Sequence, residues 1–146
     1  YSICTDEKIR ASLCPGKMID GEAVFSCDID EKINVTAVSC NLTTLDYPLG
    51  LKADYKISEE GVTIIVTSDG KVLHLIPAFS YDGEKETEIT LADNVLQIKY
   101  DGWVCQYTSN GKILELGKTA RNRNGFYKLF YAESDNSLSV NIKIFK

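Results

Sequence analysis

A chain of 146 residues, 44% hydrophobic and 25% charged, is long enough to bury its own core and too apolar to be disordered. Its formal net charge of -5 argues against a nucleic-acid-binding or anionic-membrane surface, which needs a basic footprint. No apolar run is long enough to span a bilayer, and no signal-peptide pattern stands at Tyr1, so the sequence reads as mature or never led by one.

Residues 1–21 read as an irregular segment. Within it, residues 5–13 are expected to form a short helix, with Thr5 as N-cap and Cys14-Pro15-Gly16 ending it. Four of the 5 cysteines, Cys4, Cys14, Cys27 and Cys40, crowd into this end, and Cys105 stands apart. No CxxC pair is present and there is only 1 histidine, so zinc does not fit. The expectation is two disulfides and one leftover thiol, with connectivity open, holding the N-terminal segment to the body. Asn34-Val35-Thr36 and Asn41-Leu42-Thr43 are glycosylation sequons and agree with an extracellular or cell-surface setting.

Strand signals then follow closely. They cover residues 22–27 and 32–40, separated by acidic Asp28-Ile29-Asp30-Glu31, and residues 49–57 after Pro48. Asp28, Asp30 and Glu31 lack the glycine and later glutamate of a calcium loop and read as an ordinary acidic turn. Residues 62–67 and 72–76 flank Asp69-Gly70, which signals a hairpin with Ile64, Val66, Leu73 and Leu75 on one face. Because its other face is also apolar, that hairpin is expected to be central or covered on both sides. His74, on that mixed face, is read as an imidazole satisfied by a neighbour rather than as a catalytic base, since no triad partner is signalled. Residues 77–88 read as a loop around Asp82-Gly83, followed by a short strand at 89–91.

Residues 96–116 carry the clearest pattern, with Asp101-Gly102 and Asn110-Gly111 each between strand-like runs. Two hairpins place Leu96, Ile98, Tyr100, Trp103, Cys105, Tyr107, Leu114 and Leu116 on a buried face and Gln97, Lys99, Gln106 and Glu115 opposite. Trp103 and Tyr107 are therefore assigned to the core rather than to a sugar-stacking platform. Cys105, beside them, is read as an inert structural thiol. Residues 117–125 form a polar, basic loop. Residues 126–133 and 138–145 make a last hairpin across Ser134-Asp135-Asn136-Ser137, with Tyr127, Leu129 and Tyr131 facing Val140, Ile142 and Ile144.

Short strands, frequent turns and no long helix predict a single all-β domain over 1–146, an antiparallel β-sandwich of immunoglobulin-like or jelly-roll-like type. Asp101-Gly102-Trp103-Val104-Cys105 resembles the segment around the second cysteine of immunoglobulin domains. That resemblance implies a sandwich in which Cys40 partners Cys105. It departs where Trp103 replaces a tyrosine, where Tyr55 stands for a core tryptophan, and in its three further cysteines.

No nucleophile elbow, phosphate loop or metal constellation is present, which predicts a non-enzymatic module without cofactor or metal. It is expected to bind a protein or glycan through its loops, with no nucleic acid and no membrane insertion. Lys118, Arg121 and Arg123 are the first candidate contacts, because arginine forks suit carboxylate, sulfate or phosphate. Tyr81, with Phe79 and the Asp82-Gly83 turn, is the second. The alternative is a structural subunit of a surface appendage or virion that self-assembles through its strand edges.

Overall fold

The computed structural model describes residues 3–5, 10–29 and 31–146, with side chains from residue 12 onward. Its strands are β1 (Ile3–Thr5), β2 (Arg10–Ala11), β3 (Cys14–Ile19), β4 (Glu22–Phe25), β5 (Asn34–Val38), β6 (Leu42–Tyr47) and β7 (Leu51–Ser58). They continue with β8 (Gly61–Tyr81), β9 (Glu88–Ala92), β10 (Val95–Tyr100), β11 (Trp103–Ser109), β12 (Lys112–Asn122) and β13 (Gly125–Phe145). The strands join in one open antiparallel sheet with the path β2-β1-β12-β13-β8-β7-β6-β5. β3 and β4 branch from β8, while β11, β10 and β9 branch from β13.

The N-terminal segment is built of strands rather than a helix. β1 and β2 pair through Ile3↔Ala11 and Cys4↔Arg10, and β3 and β4 pair across Asp20-Gly21. Residues 6–9 of the expected helix lie outside the described residues. Both turn positions have positive φ, 50° at Asp20 and 82° at Gly21, as a two-residue hairpin requires. Pro15 sits in β3 where β4 has not begun to pair, so its missing N–H interrupts no β3–β4 bond. Gly16 is obligatory, since a Cβ there would meet Phe25 Cδ1 and the Val24 carbonyl at 2.6 Å. β6 lies in a stretch where the sequence carries no strand signal.

The largest correction concerns β8 and β13, each 21 residues long and paired along almost their whole length. Asp69-Gly70 and Ser134–Ser137 are bends within these strands, not hairpins. Straight, such strands would span about 70 Å. Instead the register slips between Lys71 and Thr67 opposite a single residue, Asn136. Gly70 (φ 80°) and Asn136 (φ 60°) take the left-handed conformation that the bulge needs. The Gly70 N–H donates to Asn136 Oδ1 at 3.0 Å and ties the two bends together.

Because the strands continue, their alternation continues too. Ile64, Val66, Val72, Ile76 and Ala78 of β8 all join one core with Phe130, Ala132, Leu138 and Val140 of β13. Leu51, Ala53, Leu96, Ile98, Tyr107 and Ile113 complete it. Leu73 and Leu75 therefore leave the face shared by Ile64 and Val66. They enter a second cluster with Cys14, Phe25, Ala120 and Leu129, against which Tyr127 and Tyr131 pack. The segment 72–78 is thus buried on both faces, as its apolar pattern requires.

Asn110-Gly111 is also no hairpin. β11 pairs with β10 and the later half of β13, whereas β12 pairs with the earlier half, so the chain crosses the bend between them. Asn110 Oδ1 accepts the Ser139 N–H at 2.9 Å, and a Cβ on Gly111 would lie 1.8 Å from the Glu133 carbonyl oxygen. This shift moves Ile113 into the main core in place of Leu114, and Leu116 packs against the second cluster.

Candidate binding surface

The β10–β11 hairpin forms as the sequence predicts. Asp101 (φ 49°) and Gly102 (φ 79°) make the turn, and Leu96↔Tyr107, Ile98↔Cys105 and Tyr100↔Trp103 are cross-strand pairs. The buried face runs out before the turn. Leu96, Ile98 and Tyr107 are buried and Cys105 is half-buried, but Trp103 is 48% exposed. The assignment of Trp103 to the core is therefore overturned, and that of Tyr107 holds. Alternation therefore continues to the turn while burial stops before it.

Tyr100 and Trp103, paired on one face, border an open cleft of about 450 Å³. Glu86, Glu88, Lys85, Lys99 and Asp101 supply its polar wall. The Lys146 ammonium lies 4.7 Å from the Trp103 ring centroid and the Lys85 ammonium 5.4 Å from that of Tyr100. Ion pairs Lys99–Glu88 (3.0 Å) and Lys85–Asp101 (3.5 Å) arrange the remaining charges. Each is exposed and worth little to stability, but both leave donors and acceptors on the cleft rim.

The Asp82-Gly83 loop buttresses this cleft. Asp82 Oδ1 accepts the Glu84 and Lys85 N–H groups, each at 2.7 Å, and Asp82 Oδ2 accepts the Tyr100 hydroxyl. The Tyr100 hydroxyl, then these two backbone donors, hold the Asp82 carboxyl down at about 2. Thr87 closes the loop by donating its N–H to Ser80 O (2.9 Å) and its hydroxyl to Phe79 O (2.7 Å). Phe79 in turn packs edge-on against both Tyr100 (5.5 Å) and Tyr127 (5.4 Å), joining the site to the body.

Tyr81 lies beside the cleft. Its hydroxyl donates to Gly83 O at 2.6 Å and its ring rests 5.9 Å from Phe126, which is 44% exposed. The register Arg121↔Phe126↔Tyr81↔Glu86 sets these four residues in one cross-strand row, and Glu86 also lines the cleft. The structure therefore unites two separate candidates, Tyr81 and Arg121. The basic run is not a loop: Lys118 lies at a bulge of β12, Arg121 in the strand and Arg123 in the turn that follows. All three are exposed.

His74 is completely buried, and neither ring nitrogen has a hydrogen-bond partner of good geometry. The expected satisfying neighbour is missing. Burial lowers its pKa to about 4, opposed only slightly by the Leu75 backbone. It is a neutral core side chain remote from water. No disulfide joins Cys14, Cys27, Cys40 and Cys105 to one another, the implied Cys40–Cys105 pair included. The side chain of Cys4 lies outside the described residues. Burial raises the Cys105 thiol, consistent with an inert group. Asn34 and Asn41 are exposed, on β5 and in the turn after it.

Among the described residues no acid, histidine and cysteine cluster suits a metal, and no helix is long and apolar enough to cross a membrane. No protein-family model matches this chain, and no curated protein matches it either.

Proposed function

We propose that this chain is a non-enzymatic binding module, exported from the cell, that takes a glycan against Tyr100 and Trp103. The observation that carries this reading is an exposed Trp103 paired with Tyr100 at the edge of a polar cleft. Aromatic faces pack against the C–H faces of pyranose rings, while Glu86, Asp101 and Lys99 offer partners for hydroxyl groups. Tyr81, Phe126 and Arg121 extend the surface towards a second sugar. The bent β8–β13 ribbon, with one core between its halves, supports a sandwich that holds these loops at one rim. Exposed Asn34 and Asn41 are proposed glycan acceptors away from this rim.

A glycan array followed by calorimetry tests the reading. Wild type should bind a defined oligosaccharide, and Trp103→Ala should weaken it at least about tenfold, the effect of losing roughly 1.4 kcal/mol of stacking. Tyr81→Ala should have a smaller effect. A protein ligand whose affinity ignores Trp103→Ala would contradict it, as would substrate turnover lost on His74→Ala.

A second reading, strand-edge self-assembly, draws on β5. All five of its residues are exposed, including Val35 at 62% and Val38 at 71%, and β5 ends the sheet path. An open apolar edge is a template for another strand. Sedimentation velocity distinguishes the two: a monomer at high concentration removes this alternative.

A further inference from the structure

We infer that Cys14 and Cys27 are a disulfide-forming pair that closes the open end of the β3–β4 hairpin. β3 and β4 pair through Ile19↔Glu22, Met18↔Ala23, Lys17↔Val24 and Gly16↔Phe25. Continued two residues past its last pair, that register would bring Cys14 opposite Cys27, and the two thiols are near one another. Directly opposed residues in an antiparallel pair have Cβ atoms about 4.5–5.5 Å apart, and a disulfide needs about 3.5–4.5 Å, so little movement is required. The 3-10 turn Ser26–Asp28 departs from the ladder at this point, so the backbone there is not held by strand pairing and can supply that movement.

The surroundings favour the pair. Cys14 is buried in the second core cluster and Cys27 packs against it. The Cys27 thiol donates to Cys14, which lowers the Cys14 pKa and raises that of Cys27. Burial opposes this lowering at Cys14, and the Cys27 backbone N–H adds to it. Cys27, half-buried where Cys14 is buried, is the sulfur a soluble disulfide reaches first, and Cys14 is the resolving thiolate.

With a small-molecule disulfide such as oxidised glutathione, the steps follow from this division. Cys27 gives up its proton and attacks one glutathione sulfur, releasing a first glutathione thiolate. The Cys14 thiolate then attacks Cys27 Sγ in the mixed disulfide and expels the second. The two cysteines lose two electrons and two protons, and oxidised glutathione becomes two thiols. Because β3 already pairs with β8 through Cys14↔Leu75, the bridge ties the chain leaving β4 to a strand that the sheet holds.

Peptide mapping of the wild-type protein after incubation in a glutathione redox buffer tests this. The expected product is a Cys14–Cys27 cross-linked peptide, a mass loss of two hydrogens, and a raised thermal midpoint reversed by dithiothreitol. Cys40 should remain open to iodoacetamide throughout. Cys27→Ser should abolish the cross-link and the shift, while Cys40→Ser preserves both. A cross-link of either residue to Cys4, or alkylation of both Cys14 and Cys27 after oxidation, would overturn the assignment.

Discussion

His74 shows how one residue can set the acid stability of the molecule. Its ring is fully buried, unpaired and neutral, with a pKa of about 4 against 6.5 when unfolded. The unfolded chain therefore binds a proton between about pH 6.5 and 4 that the folded chain refuses. Stability should fall across that window as pH drops, by about 3 kcal/mol in all, and be restored as pH rises. His74→Leu should remove most of this slope and raise the thermal midpoint more at pH 5 than at pH 7.5, because both unsatisfied nitrogens go with the ring. A slope unchanged in the variant would assign the acid sensitivity elsewhere. Asp82 works in the opposite sense. Its depressed carboxyl contributes above its unfolded pKa of 3.8 and is lost only as pH falls through about 2, so the loop under Tyr100 should hold where His74 begins to fail. That His74 would lie on a strand of the apolar hairpin segment was legible in the alternation of residues 72–76. That it would be unsatisfied was not, because the residues beside it, Pro15 and Ala132, come from distant parts of the chain.

At the scale of elements, the four Asp-Gly dipeptides show what a turn signal conveys. Asp20-Gly21 and Asp101-Gly102 are hairpins, with positive φ at both positions. At Asp69-Gly70 and Asp82-Gly83 only the glycine has positive φ, and the chain forms a bulge and an Asx-closed loop. The dipeptide permits a reversal without forcing one. What separated the cases was parity: Ile64, Val66, Val72 and Ile76 keep one alternation across Gly70 only if the strand runs straight on. The same continuity was available in Phe130, Ala132, Leu138 and Val140. Glycine substitutions test this topology. Gly111→Ala should cost about 3 kcal/mol or more, because its Cβ would strike the β13 backbone. Gly70→Ala meets open space and should cost only about 1 kcal/mol, from its positive φ. Urea denaturation of both proteins measures the contrast; equal losses would argue against the crossing at the bend.

Across the whole molecule, β8 and β13 are the spine to which the other ladders attach. Strand character, the β10–β11 register and the double-sided burial of residues 72–76 were readable from alternation alone. Crossing of the bend, the pairing of β11 with β13, and the alignment of Tyr81 and Arg121 across Phe126 were not, since each depends on contacts between distant segments. The hierarchy should appear in hydrogen exchange. Amides of Ile64, Val66 and Val140 should exchange last, with the global unfolding free energy, and those of the exposed edge strand β5 first.

The reading of function rests on one aromatic ring standing outside the core, and that ring belongs to the chain's only tryptophan. Intrinsic fluorescence therefore reports on the cleft without a label. The free protein should emit as a solvent-exposed indole that acrylamide quenches readily, and saturation with the best array glycan should shift the emission and protect it. A shielded indole in the free protein, or quenching unchanged at saturating glycan, would contradict the account.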